Sequence, residues 1–162
     1  MNKKVSHEQT LIIIKPDAMH RNLLGEIIHR FERKGLKITG LKMIKLDDPI
    51  LEKHYYHHKD KPFFAGVKKF MKSSPVVLMV LEGYSAISAT RLIVGPLKGY
   101  EADAGSIRGD FSLSTQSNIV HASDSVETAA EEIKRFFKKE ELFTYTKAEY
   151  PYIYAEDELP TE

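Results

Sequence analysis

Thr10-Leu11-Ile12-Ile13-Ile14-Lys15-Pro16 is a β-rich run that stops where proline can no longer donate to a central ladder. Lys15 follows four aliphatic residues directly, so it sits at the rim of a core, a costly place for an idle charge. Working outward, Leu23–Lys34 carries Leu24, Ile27, Ile28 and Phe31 at helical spacing, with Gly35 as the stop. Lys37–Leu46 alternates and predicts a second strand with a bulge at Gly40. Pro49–His57 and Pro62–Met71 predict short helices with proline near the first turn. Pro75–Leu81 predicts a buried strand ending at Gly83, and Ser85–Val94 a helix ended by Gly95-Pro96. Gly95–Ser117 then has little periodicity, and so long a loop is usually functional. Ser117–His121 predicts the fourth strand, and Asp124 with Glu127 a capping box for a helix over Ser125–Phe137. The order contains βαββαβ, which predicts an α+β fold with a ferredoxin-like antiparallel sheet covered by helices. The whole of 1–162 is expected to be one domain, flexible at 1–8 and 156–162.

Composition narrows the chemistry. Lys plus Arg total 24 against 23 Asp plus Glu, a net charge of +1, which argues against a general polyanion binder and leaves no specific nucleic acid expected. The chain has no cysteine, so disulfide scaffolds, thiolate metal sites and cysteine nucleophiles are excluded. The longest aliphatic stretches, Leu11–Ile14 and Val76–Leu81, are far short of a membrane span, and no secretory pattern opens the chain. The expectation is a soluble cytoplasmic protein without membrane partners.

Seven histidines are then the place to look for metal or nucleophilic chemistry. His54, His57 and His58 share a predicted helix face, but beside Lys59, Asp60 and Lys61 they are expected to be solvated. His121 ends a strand just before a helix N-terminus, where an anion is favoured; pattern alone reads it equally as a satisfied core histidine or as a functional imidazole that Glu132 on that helix could hold in one tautomer. Gly35–Gly40 has P-loop glycine spacing, but Leu41-Lys42 follows it and it lies between helix and strand, the reverse of the required context. Phosphate would therefore be held by side chains. Periodicity alone places Phe63, Val67, Phe70 and Met71 in a core stripe.

Several fragments, in order, resemble one known family. They are Ile14-Lys15-Pro16-Asp17, Gly25-Glu26-Ile27-Ile28, His54-Tyr55, Lys59-Asp60-Lys61-Pro62-Phe63-Phe64, Gly105-Ser106-Ile107-Arg108-Gly109-Asp110-Phe111 and Asn118-Ile119-Val120-His121-Ala122-Ser123-Asp124-Ser125. Together they are similar to nucleoside diphosphate kinases, and the last fragment is the most specific. The resemblance implies a ping-pong transfer of the γ-phosphoryl of a nucleoside triphosphate to a nucleoside diphosphate, with little base discrimination. It implies that His121 is phosphorylated, with Glu132 bonding its other ring nitrogen and Ser123 supporting the glutamate. Lys15, Tyr55, Arg91 and Arg108 would surround the phosphates, Asn118 would bond the sugar hydroxyl, and Phe63 with Val67 would clamp the base against the core reading above. Mg2+ would travel on the phosphates with no direct protein ligand. Leu97 stands where the family has a phosphate-contacting threonine, and Lys98 is the neighbour expected to replace the lost hydroxyl. Asn118 and His121 are three residues apart, so a site using both needs a bend in the strand. The extended segment Lys147–Tyr154 is similar to the longer, hexamer-forming members, and its tyrosines are expected to seek a partner surface.

Overall fold

In the computed structural model, which describes residues 6–159, β1 (His7–Ile14) runs straight into a short helix, α1 (Pro16–His20). Pro16 stands at the first helical position, where its missing N–H would have had no partner in any case. Then follow α2 (Leu24–Arg33), β2 (Lys37–Ile44), α3 (Asp48–His54), α4 (Phe64–Met71), β3 (Val76–Tyr84) and α5 (Ala86–Val94). The chain continues through α6 (Ile107–Phe111), β4 (Val120–Ala122), α7 (Val126–Phe136) and α8 (Tyr150–Ile153). The strands form one sheet in the order β2-β3-β1-β4, antiparallel at every pairing. With α2 and α5 as crossovers this is the ferredoxin-like arrangement expected from the element order.

Helices cover both faces of the sheet. On one, Ile12 and Ile14 of β1 and Met79 and Leu81 of β3 meet Ile27 and Phe31 of α2 and Ala86 and Val94 of α5. On the other, Leu11, Ile13, Leu78 and Val80 meet Leu51 of α3, Met71 of α4 and Ile133 and Phe136 of α7. That is why Leu11–Ile14 and Val76–Leu81 are unbroken apolar runs: successive side chains point to opposite faces, and both faces are core. Each fully buried aliphatic side chain contributes about 1.5–3 kcal/mol.

Several boundaries differ from the sequence reading. The β2 bulge is Thr39, inserted between the pairs Ile38–Leu81 and Gly40–Val80. α3 stops at His54 and a 3-10 turn occupies Tyr56–His58, so the three histidines do not share a helix face. α4 starts at Phe64 rather than Pro62. The long loop contains α6, whose N-cap Ser106 accepts the N–H of Gly109; five residues around a glycine carry no readable 3.6-residue pattern. α7 is capped by Ser125, which accepts from Thr128 N–H, one residue later than the expected Asp124 box.

Of the ends expected to be flexible, 1–5 and 160–162 lie outside the described residues. His7 and Glu8 are instead strand, paired with Tyr84 and Gly83, and Glu156–Glu158 make one 3-10 turn. The C-terminal tyrosines mostly find partners within the chain. Tyr150 is buried, Tyr154 stacks edge-on against Tyr84 at 5.2 Å, and Ile153 fills the space beside Gly35, whose φ of +96° suits glycine at the end of α2. Tyr152 alone of that group is almost fully exposed.

Candidate functional site

The site is organised by one strained residue. Ile119 has φ of +76°, an outlier for a β-branched side chain. The N–H of Val120 bonds the carbonyl of Asn118 at 2.8 Å, closing a positive-φ γ-turn just before β4. This is the bend that a site using both Asn118 and His121 requires. The turn is pinned from three sides. Lys15 N–H donates to the Ile119 carbonyl at 2.9 Å, and Asp17 Oδ2 accepts the Ile119 N–H at 3.0 Å. Arg108 donates to the carbonyls of Asn118 (3.2 Å), Gly95 (3.0 Å) and Val120 (2.7 Å). α1 and α6, which the sequence did not show, therefore deliver residues that hold the turn.

On β4, His121 pairs across to Ile13. Its Nε2 lies 3.0 Å from both Glu132 oxygens. A carboxylate only accepts, so Nε2 carries the proton and Nδ1 keeps the ring's lone pair. Ser123 Oγ donates to Glu132 Oε2 at 2.6 Å and accepts the Leu11 N–H at 3.2 Å, fixing the carboxylate from behind. Burial pushes the Glu132 carboxyl up, but the bonds from His121 and Ser123 outweigh it and hold its pKa below the usual range.

His54, which the sequence placed on a solvated surface, is buried against this pair: its side chain is 2% exposed. Its ring meets that of His121 edge-on at 4.9 Å and that of Phe136 at 5.2 Å. Burial, reinforced by His121, drives its pKa down to about 3, so it is neutral. His54, His121 and Glu132 offer donor atoms within 4.8 Å of one another. They do not make a metal site, because Arg135 already donates to His54 Nδ1 at 3.1 Å and Glu132 is engaged by His121 and Ser123. Residue spacing does not distinguish His54 from His57 and His58, although the fragment His54-Tyr55 belongs to the family resemblance; the end of α3 decides which ring is buried.

A cavity of about 500 Å³ opens in front of His121, lined by Lys15, Tyr55, Arg91, Leu97, Arg108 and Glu132 among others. A second, of about 420 Å³, continues from it past Lys15, Tyr55, His58 and Leu97 to Phe63, Val67, Phe70 and Asn118. The first is cationic and the second largely apolar, so the two form one cleft suited to a ligand with an anionic end and a flat apolar end. Burial, aided by Arg108 and opposed by Asp17, lowers Lys15 to about 8. Its Nζ donates to Asn118 Oδ1 at 2.6 Å. The two N–H groups of the Asn118 amide are used by the carbonyls of Leu97 and Thr115, leaving one free lone pair on Oδ1. Burial, with Arg91 nearby, lowers Arg108 to about 10, still a cation at neutral pH. Burial and then Glu132 raise Tyr55 to about 12, so its phenol is a neutral donor. Phe63 is 51% exposed at the mouth and Val67 half-buried, whereas Met71 is core, so the predicted stripe splits between cleft and interior. Lys98 does not take the place expected of it: it pairs with Glu101 at 3.0 Å across one 3-10 turn, and Leu97 faces the cleft.

A family model described as nucleoside diphosphate kinase matches residues 8–142. A nucleoside diphosphate kinase of Parabacteroides distasonis is 50% identical over 152 residues, covering 94% of this chain and 99% of that protein. One of Pyrococcus horikoshii is 52% identical over 144 residues, covering 87% and 92%. Among solved structures, a halophilic nucleoside diphosphate kinase of Halobacterium salinarum in complex with CDP superposes with a TM-score of 0.89 at 36% identity, covering 92% of this chain and 99% of that one. A nucleoside diphosphate kinase family protein of Babesia bovis gives 0.87 at 44% identity, covering 91% and 99%.

Proposed function

The chain belongs to the nucleoside diphosphate kinase family and is a nucleoside diphosphate kinase, and from that premise we propose that His121 carries the transferred phosphoryl group. The observation that supports this is the 3.0 Å contact of His121 Nε2 with Glu132, which leaves Nδ1 as the free nucleophile beside a cationic cavity. Nδ1 attacks the γ-phosphorus of a nucleoside triphosphate in line. A phosphorus–nitrogen bond forms, the bridging oxygen leaves with the nucleoside diphosphate, and Glu132 stabilises the positive charge that develops on the ring. An oxygen of a second nucleoside diphosphate then takes the phosphoryl group by the reverse route.

Lys15, Arg91 and two unspent N–H donors of Arg108 hold the phosphates, with the Tyr55 phenol as a neutral donor and Leu97 in van der Waals contact. The free lone pair of Asn118 Oδ1 accepts from a ribose hydroxyl. Phe63 stacks on the base with Val67 beside it, and stacking without bonds to base edges explains broad base acceptance. Mg2+ enters on the nucleotide phosphates as part of the substrate: the cations facing those phosphates offer it no lone pair. No helix among the described residues is long and apolar enough to cross a membrane. The protein works in the cytoplasm as a homohexamer rather than a homotetramer, with exposed Leu92, Leu113 and Tyr152 suited to self-association.

The experiment is to incubate the protein with γ-labelled nucleoside triphosphate and isolate it. An acid-labile, base-stable phosphoprotein that returns its label to any added nucleoside diphosphate is expected; label that stays on the protein in that chase contradicts the ping-pong route. Two further outcomes follow from the cleft. In Phe63→Ala, nucleotides of every base weaken together by about ten- to a hundredfold, the range of about 1–3 kcal/mol per stacked base; loss confined to one base would contradict a simple stacking platform. Lys15, with a lowered pKa of about 8, loses its charge in the free protein as pH rises. Affinity for nucleoside diphosphate therefore drops by up to about tenfold between pH 7 and pH 9, measured by titration calorimetry.

A further inference from the structure

His54 and Arg135 line the wall of the His121 cavity but have no part in the transfer steps, and they touch each other and the reacting pair. We propose that Arg135 and His54 are positioning residues: the guanidinium locks the His54 ring in its Nε2–H tautomer, so that Glu132 is left to hold His121 alone. This rests on the reading of His121 as nucleophile. Arginine donates and never accepts, so the 3.1 Å contact from Arg135 to His54 Nδ1 makes that nitrogen the acceptor and puts the ring proton on Nε2. The same Nδ1 is only 3.8 Å from Glu132 Oε1. Were the proton on Nδ1, His54 would become a third donor to Glu132, competing with His121 and Ser123 for its lone pairs and turning the carboxylate away from the nucleophile. In this tautomer the single Nδ1 lone pair is taken by Arg135, so His54 offers Glu132 no proton, and the His121 ring is braced edge-on by an uncharged neighbour at 4.9 Å. The arrangement costs something: His54 Nε2 is buried with no partner among the described residues. An orphaned donor beside a reactive centre is kept when the other ring nitrogen has work to do. The charged and titratable groups facing His54 are His121, Glu132, Arg135 and Lys15, with the Tyr55 phenol beside it. Burial, with His121, Arg135 and Lys15, keeps the ring neutral against the opposing pull of Glu132, so the tautomer is what the Arg135 contact selects.

The test measures single-turnover phosphorylation from γ-labelled triphosphate, nucleotide affinity, and the His54 tautomer by nitrogen NMR, in the wild type, Arg135→Leu and Arg135→Lys. Arg135 is partly exposed, so Arg135→Leu is expected to fold, which its unfolding midpoint checks. It should phosphorylate about tenfold more slowly, the scale typical of lost outer-shell partners, at unchanged affinity, with the His54 proton shifted toward Nδ1. Arg135→Lys, which keeps a donor, should retain the Nε2–H tautomer and most of the rate. Arg135→Leu at the wild-type rate, or a slower variant whose His54 tautomer is unchanged, would overturn the proposal. A wild type that takes no label overturns the nucleophile reading and this one with it, whereas a labelled wild type with indifferent variants overturns this one alone.

Discussion

His121→Ala should accept no label from γ-labelled triphosphate and should lose about 10⁴-fold or more in turnover, as removal of a covalent nucleophile does. The site explains why nothing nearby replaces it. Ser123 donates its hydrogen bond to Glu132, Tyr55 is held in its neutral form, and His54 presents its Nδ1 lone pair to Arg135. Lys15 is cationic at neutral pH and bonded to Asn118. Because β4 is pinned by β1 and by the γ-turn rather than by the imidazole, the variant should keep its fold and still bind nucleoside diphosphate. Retained labelling would move the nucleophile elsewhere.

Arg108→Ala should fail differently, losing stability and activity together. Arg108 is 4% exposed and donates to the carbonyls of Gly95 and Val120, and to that of Asn118, which keeps the Val120 N–H as a second donor. Each buried acceptor left unsatisfied costs about 1–3 kcal/mol. Some relaxation and entry of water is expected, so the net loss should be about 3 kcal/mol or more, read as a lower denaturation midpoint at unchanged slope. The strained Ile119 backbone persists only while its neighbours over-determine it. Without Arg108 the turn should relax toward ordinary strand, moving Asn118 and His121 apart, and phosphate affinity should fall with the lost charge. A variant with native stability but no activity would show that Arg108 acts on substrate only.

Hydrophobic pattern was enough for β1, β2 and β3 and for α2, α5 and α7, because each is long and presents a consistent apolar set to a core, whereas the expected strand Ser117–His121 is a turn through Ile119 followed by the three-residue β4. α1 and α6 were not readable, being five residues each and fixed by a proline and a capping serine rather than by a stripe. Phe63 shows the limit from the other side. Its spacing with Val67 and Met71 reads as core, yet α4 begins one residue after it, so Phe63 turns out to the cleft while Met71 turns in. His121 and Glu132 were readable as a pair because strand end and helix face lie close in the chain. His54 was not, since local spacing cannot tell a buried imidazole from a solvated one.

Pattern and residue type carry the order of the strands and long helices, the groups able to perform phosphoryl chemistry, and the need for a bend between Asn118 and His121. How that bend is made, and what faces the nucleophile, is settled by contacts distant in the chain. The bonds that decide it join Lys15 to Asn118 across 103 positions and His54 to Arg135 across 81. No local periodicity records contacts of that range. They exist because both faces of one sheet are buried, which brings the ends of β1, α3, β4 and α7 to the same edge of the core.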